Sequence, residues 1–76
     1  MSDYTYTAYV EHDPDTDLYV GIIPGVPGAH SQGATLDELH QNLQEVLALC
    51  LEEQLGQGED VQGDHFVGLQ RVAVRL

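Results

Sequence analysis

Three carboxylates at alternate positions, Asp13, Asp15 and Asp17, have the spacing that most readily suggests chemistry. In a calcium-binding loop the D-x-D-x-D opening lets alternate carboxylates converge on one hard cation. The rest of that pattern is missing. Leu18 stands where the loop needs Gly, and Pro24 where a bidentate Glu closes the site. The same stretch, with Pro14 and Thr16 between the acids, supplies turn chemistry, because Pro presets φ and Asp side chains bond nearby backbone N–H groups. A solvated turn is the expected reading, with no metal or other cofactor. A metal-dependent hydrolase using these three acids is the enzymatic alternative, and it predicts divalent-ion binding.

The other reactive residue types form no constellation. His12, His30, His40 and His65 fall on different expected elements with no two at ligand spacing, and Cys50 lies between Leu49 and Leu51, as a buried small hydrophobe would. Nucleophilic catalysis needs a Ser or Cys with a His base and an orienting third group. Ser31 adjoins His30, but neighbours on a strand point to opposite faces. Gly21, Gly25, Gly28 and Gly33 match no phosphate-binding pattern. Glu45, Glu52 and Glu53 are expected on solvated helix positions, not paired in contrasting environments. No catalytic residues are assigned, and the protein is expected not to be an enzyme.

The elements that would position these residues must come from 76 residues, enough for a single domain, 1–76, with a thin core. The chain carries 13 acidic residues against two basic ones, Arg71 and Arg75, for a net charge of −11. Such a surface repels nucleic-acid phosphates, so direct nucleic-acid binding is not expected. A basic protein partner is favoured, because opposite fields steer encounter. One cysteine asks for no oxidising compartment, and no apolar run approaches the length of a membrane span, so a cytoplasmic location and no membrane association are expected.

Tyr4 to Glu11 alternates and is rich in aromatic and β-branched residues, which predicts a first strand. Leu18 to Ile23 is the second, antiparallel across the Asp13–Asp17 turn. Pro24-Gly25 and Pro27-Gly28 each suit a type II turn with Gly at positive φ. Ala29 to Gln32 then forms a short third strand closed by Gly33. Thr35-Leu36-Asp37-Glu38 reads as a capping box, with Thr35 taking the Glu38 N–H and Glu38 reaching back to the Thr35 N–H. The helix runs from Leu36 to about Leu55 before Gly56, and Leu36, Leu39, Leu43, Val46, Leu47 and Cys50 mark its buried stripe. Leu49 lies off that stripe, where it could contact a second subunit. Gly56 to Asp64 reads as a polar loop, and alternation from about Val67 to Leu76 predicts a last strand. The expected fold is α+β, β-β-β-α-β, with one helix on one face of an antiparallel sheet. A thin core with an open sheet face favours a homo-oligomer.

The stretch from Tyr19 to Glu38, YVGIIPGVPGAHSQGATLDE, resembles the HicB antitoxin family, in which a strand, a Pro-Gly turn, a short strand and a G-x-T-x-x-E helix start follow one another. The resemblance extends back through Tyr9-Val10-Glu11, forward through Asn42-Leu43, and to Val67–Val74. It implies a partial RNase H-like fold without RNase H catalytic acids. It also implies a partner: a small basic, RNA-cleaving HicA-type toxin whose active face the acidic domain covers. The sequence stops at Leu76, before the DNA-binding segment many members carry, so DNA-binding autoregulation is not expected.

On these readings the partner-binding residues are Asp13, Asp15, Asp17, Asp37 and Glu38, with Leu49 as the oligomer contact. Pro24, Gly25, Pro27, Gly28, Gly33 and Thr35 are structural. The competing non-enzymatic reading is an orphan, self-associating domain with another protein client.

Overall fold

The computed structural model describes residues 4–59, 61 and 63–76. Its elements are β1 (Tyr9–Asp13), β2 (Leu18–Ile22), β3 (His30–Gly33) and α1 (Leu36–Gly56). The strands form one antiparallel sheet in the order β1-β2-β3, with Asp13 opposite Leu18, Tyr9 opposite Ile22 and Tyr19 opposite Gly33. The fold is thus a small α+β domain with one helix packed on one sheet face.

Two glycines let that helix approach. A Cβ on Gly33 would stand 2.5 Å from the Leu39 backbone nitrogen, and one on Gly21 would stand 2.8 Å from Leu43 Cδ1. The core at this contact is Ile23, Val26, Ala29, Leu39, Leu43 and Leu51, with Tyr6, Ala8, Tyr19, Val46, Leu47, Cys50 and Val61 packed around it. Asn42 adds a polar tie, its side-chain amide donating to the Gln32 carbonyl at 2.8 Å.

The segment between β2 and β3 explains how Val26 and Ala29 become core. Val26 N–H donates to the Ile23 carbonyl and Ala29 N–H to the Val26 carbonyl, making two successive turns with Pro24 and Pro27 at their second positions. Gly28 has φ of +85°, as a type II turn requires, whereas Gly25 does not have positive φ. The first turn is therefore not type II, correcting the expected pair of type II turns. Ile23 N–H closes the loop on the Ala29 carbonyl at 2.8 Å.

Several boundaries differ from the sequence pattern for one reason: a strand needs a partner's N–H and C=O groups, and alternation does not provide them. β2 ends at Ile22 before the turns, so Tyr9 is the last paired residue of β1 and Tyr4–Ala8 run outside the ladder. Ala29 precedes β3 because its N–H is taken by the turn, donating to the Val26 carbonyl, while Gly33 belongs to the strand. The expected last strand does not form: Val67–Leu76 make no ladder, and Val72 and Val74 are 81% and 75% exposed.

The helix stripe is shifted as well, with Leu51 buried and Leu36 exposed in the first turn. Cys50 is half-buried and not sealed in the core. At the C-terminus Gly56 remains helical. The left-handed residue is Gly58, φ +76°, whose N–H donates to the Leu55 carbonyl while the Glu59 N–H returns to the Gln54 carbonyl. This Schellman arrangement satisfies the last carbonyls. The loop expected from Gly56 to Asp64 includes Asp60 and Gln62, which lie outside the described residues. Within it Val61 tucks against the core.

Candidate partner-binding surface

The hairpin turn between β1 and β2 is held by its own acids. Asp13 Oδ1 accepts from the Asp15 N–H at 2.9 Å, and the Asp13 carbonyl accepts from the Asp17 N–H at 2.8 Å. Asp17 takes φ of +58°, a left-handed conformation that Asp tolerates better than most residues because its short side chain finds local partners. Here the partner is His12, whose Nε2 lies 2.8 Å from Asp17 Oδ1 and whose ring packs tilted on Tyr19 at 5.1 Å. The His12–Asp17 pair is largely solvent-exposed, so even with His12 protonated it contributes less than about 1 kcal/mol. The Asp15 carboxylate has no hydrogen-bond partner among the described residues.

The helix start is built as a cap with one altered contact. Thr35, in an extended conformation, accepts the Glu38 N–H on its hydroxyl at 3.0 Å. Glu38 reaches past Thr35 to the Ala34 N–H at 3.2 Å, so the reciprocal half of the expected capping box is displaced by one residue. Asp37 and Glu38 both sit in the first turn, where carboxylates are favoured by the helix dipole.

The sheet register joins these two features. Asp13 opposes Leu18 at the hairpin end of β2, and the next residue, Tyr19, opposes Gly33, the last residue of β3. The hairpin loop and the exit of β3 into α1 therefore lie at the same end of the sheet. Asp13, Asp15, Asp17, Asp37 and Glu38 share that end, although the two groups stand 20 positions apart in sequence at their nearest members, Asp17 and Asp37. The acids do not converge as ligands: among the described residues no three His, Cys, Asp or Glu side chains are grouped to hold a metal ion.

Other positions marked in the sequence lie elsewhere. Leu49 projects from the outer face of α1, 66% exposed. Pro24 and Gly25 line a recess of about 250 Å³ together with Thr7, Asp64, His65 and Phe66. His12 and Asp64 were not marked, since each gains its role from a neighbour the spacing does not reveal. Asp64 accepts from the Thr7 N–H at 2.7 Å and the Phe66 N–H at 3.0 Å, and its carboxyl is held below the ordinary range, first by hydrogen bonding to the Thr7 side chain, then by the Phe66 and Thr7 N–H groups and by His65. Burial pushes the nearby Tyr6 phenol up, with Tyr4 and Asp64 adding to the shift. No described helix is long and apolar enough to cross a membrane.

Known proteins resemble this chain in sequence and in fold. The sequence profile of the HicB_like antitoxin of bacterial toxin-antitoxin systems matches residues 6–71. A UPF0150 protein of Thermotoga maritima is 44% identical over 69 residues, 91% of this chain and 88% of the relative. The UPF0150 protein ssr1258 of Synechocystis sp. is 39% identical over 74 residues, 97% of this chain and all of the relative. The crystal structure of the N-terminal domain of Burkholderia pseudomallei antitoxin HicB superposes with a TM-score of 0.62 at 36% identity, covering 72% of this chain and 62% of that one. With the profile spanning most of its length and the same fold in a solved member, this chain belongs to the HicB_like antitoxin family of bacterial toxin–antitoxin systems.

Proposed function

We propose that residues 1–76 act as one non-catalytic domain that neutralises a small basic, RNA-cleaving toxin of the HicA type by covering its active face. The observation that carries this reading is the acidic end of the sheet, where the hairpin loop and the first turn of α1 bring Asp13, Asp15, Asp17, Asp37 and Glu38 together in a chain of net charge −11. A basic RNA-cleaving protein presents positive potential where it binds phosphate, and a carboxylate surface competes for that potential. Hydrogen bonds within the turn orient Asp13 and Asp17, and Asp15 and Asp37 remain open to a partner. Steering by the cluster exceeds what any one exposed pair supplies.

The same reading places the protein in the cytoplasm, with no direct nucleic-acid binding and no cofactor, and as a homo-oligomer with Leu49 at a contact. The test is the triple variant Asp13→Asn, Asp15→Asn, Asp17→Asn, assayed against the product of a small basic reading frame beside this gene. Association should slow and lose part of its salt dependence. Unchanged kinetics at low and moderate salt would move the interface elsewhere, and no binding by the parent chain would favour a self-associating domain with another client.

A further inference from the structure

The open face of the sheet runs from the acidic hairpin to the recess beside Phe66. Gly21 faces α1, where its Cβ would meet Leu43 and Leu39, so Leu18, Val20 and Ile22 point to the opposite side by strand alternation. Asp13, Glu11 and Tyr9 lie across from them in the ladder and share that side. Tyr9 meets Thr7, Pro24 and Phe66 in a shallow groove, and those three residues also wall the recess of about 250 Å³. Asp13 and Tyr9 stand four residues apart, about 14 Å along an extended strand. A small protein seated on the hairpin acids therefore reaches the recess without leaving this face.

The recess has the chemistry of a site for one cation. Its volume lies below the roughly 300–1,000 Å³ that holds a drug-sized ligand, and suits a single long side chain. One wall is the half-exposed Phe66 ring with Pro24, and another is the Asp64 carboxylate. The Thr7 N–H donates to Asp64 Oδ2 and the Phe66 N–H to Oδ1, which fixes the direction of a group that has about four acceptor sites. The Thr7 side chain first, then these N–H groups and His65, hold the carboxyl below its ordinary range, so it stays anionic. The lining contains no Lys or Arg, and a net charge of −11 disfavours a bound anion. A carboxylate beside an aromatic ring suits arginine better than lysine, because the planar guanidinium stacks on the ring while its edge donates to the carboxylate. Neither Arg71 nor Arg75 of this chain lines the recess.

We propose that the Phe66 recess receives an arginine side chain of the basic partner, anchoring an interface that spreads over the open sheet face toward Asp13. This rests on the partner reading given above and adds a site at the other end of the same face. A charged fork held on an aromatic ring in a recess acts mainly on dissociation, whereas exposed acids mainly steer encounter. Recess and hairpin therefore govern different rates of one complex.

The first arm of the test needs no partner. Nα-acetylargininamide is titrated into the isotopically labelled full chain, beside its uncharged isostere Nα-acetylcitrullinamide and beside Nα-acetyl-lysinamide. The arginine compound should shift Thr7 and Phe66 resonances saturably with a Kd of about 1 mM, as expected for so small a ligand. The lysine compound should bind more weakly and the citrulline compound not at all. Asp64→Asn and Phe66→Ala should each abolish the shifts with helical circular dichroism unchanged. In the second arm, against the product of the basic neighbouring reading frame, the same two variants should speed dissociation about tenfold and leave association nearly unchanged, the reverse of the hairpin triple variant. Equal binding of the three amides, no shift at Thr7 and Phe66, or unchanged dissociation in both variants would overturn the proposal. Amide binding seen only after Arg71→Gln would assign the recess to this chain's own tail and overturn it as well. A parent chain that does not bind the neighbour refutes the partner reading instead, and the amide titration still decides whether the recess takes arginine.

Discussion

Replacing Gly33 by Ala tests the contact that seats the helix on the sheet. The added methyl would lie 2.5 Å from the Leu39 nitrogen and 3.0 Å from the Glu38 carbonyl carbon and the Leu39 Cα. All three are backbone atoms, so no side-chain rotation relieves the clash and α1 itself must shift away from β3. Overpacking a buried contact costs about 1–3 kcal/mol, and an obstacle made of helix backbone belongs at the upper end. A domain of this length has roughly 4–11 kcal/mol in total, so the variant folds but is weakened. At about 4–8 °C per kcal/mol for so small a domain, the midpoint should fall by about 12–24 °C. Gly25→Ala is the matched control, because its Cβ would meet nothing within 4 Å and its φ is not positive. That control should match the parent or exceed it by up to about 1 kcal/mol through a stiffer unfolded chain. Thermal unfolding followed by circular dichroism reads both. If Gly33→Ala loses no more than Gly25→Ala, the close helix–strand approach is not what holds α1, and the placement of Asp37 and Glu38 beside the hairpin loop loses its physical basis.

Thr35→Ala removes the acceptor of the Glu38 N–H and should cost about 1 kcal/mol in denaturant unfolding, while a midpoint equal to the parent's would show that the cap contributes nothing. Gly28→Ala has room beside Cys50 Sγ at 3.8 Å but forces Ala to φ +85°, so its loss of about 1–2 kcal/mol should come from backbone strain, and an unchanged midpoint in thermal unfolding would contradict the assigned turn. For Asp64 the folded pKa is depressed, so the stability it contributes is fully present above the ordinary carboxylate value and is lost as pH falls through the lower folded value. A carboxyl-detected NMR titration should place its midpoint below the ordinary 3.8, and Thr7→Ala should raise it; a parent midpoint at or above 3.8 would contradict the contact. Calorimetric titration with calcium and with magnesium should be flat, since Asp13 and Asp17 are occupied with the turn and His12; saturable heat would revive the hydrolase reading.

The sequence alone determined the features whose causes are local. Pro14 among three Asp residues specifies the hairpin turn, Thr35 with Glu38 specifies where the helix begins, and three- and four-residue spacing specifies which helix face carries Leu39 and Leu43. The ordered run from Tyr19 to Glu38 was also enough to resemble the right family. Tertiary structure decided whatever depends on partners distant in the chain. Alternation marks Tyr4–Ala8 and Val67–Leu76 as suited to strands, but strand pairing needs a neighbour, and β2 stops at Ile22 while the tail forms no ladder among the described residues. Only packing shows that Val26, Ala29 and Leu51 are core and Leu36 is not, because two Pro turns fold the first two inward and the helix seats closely on Gly21 and Gly33 through Leu39 and Leu43. The acidic end is a property of register: five carboxylates far apart in sequence share one end of the sheet because Tyr19 lies opposite Gly33, and no local pattern encodes that pairing.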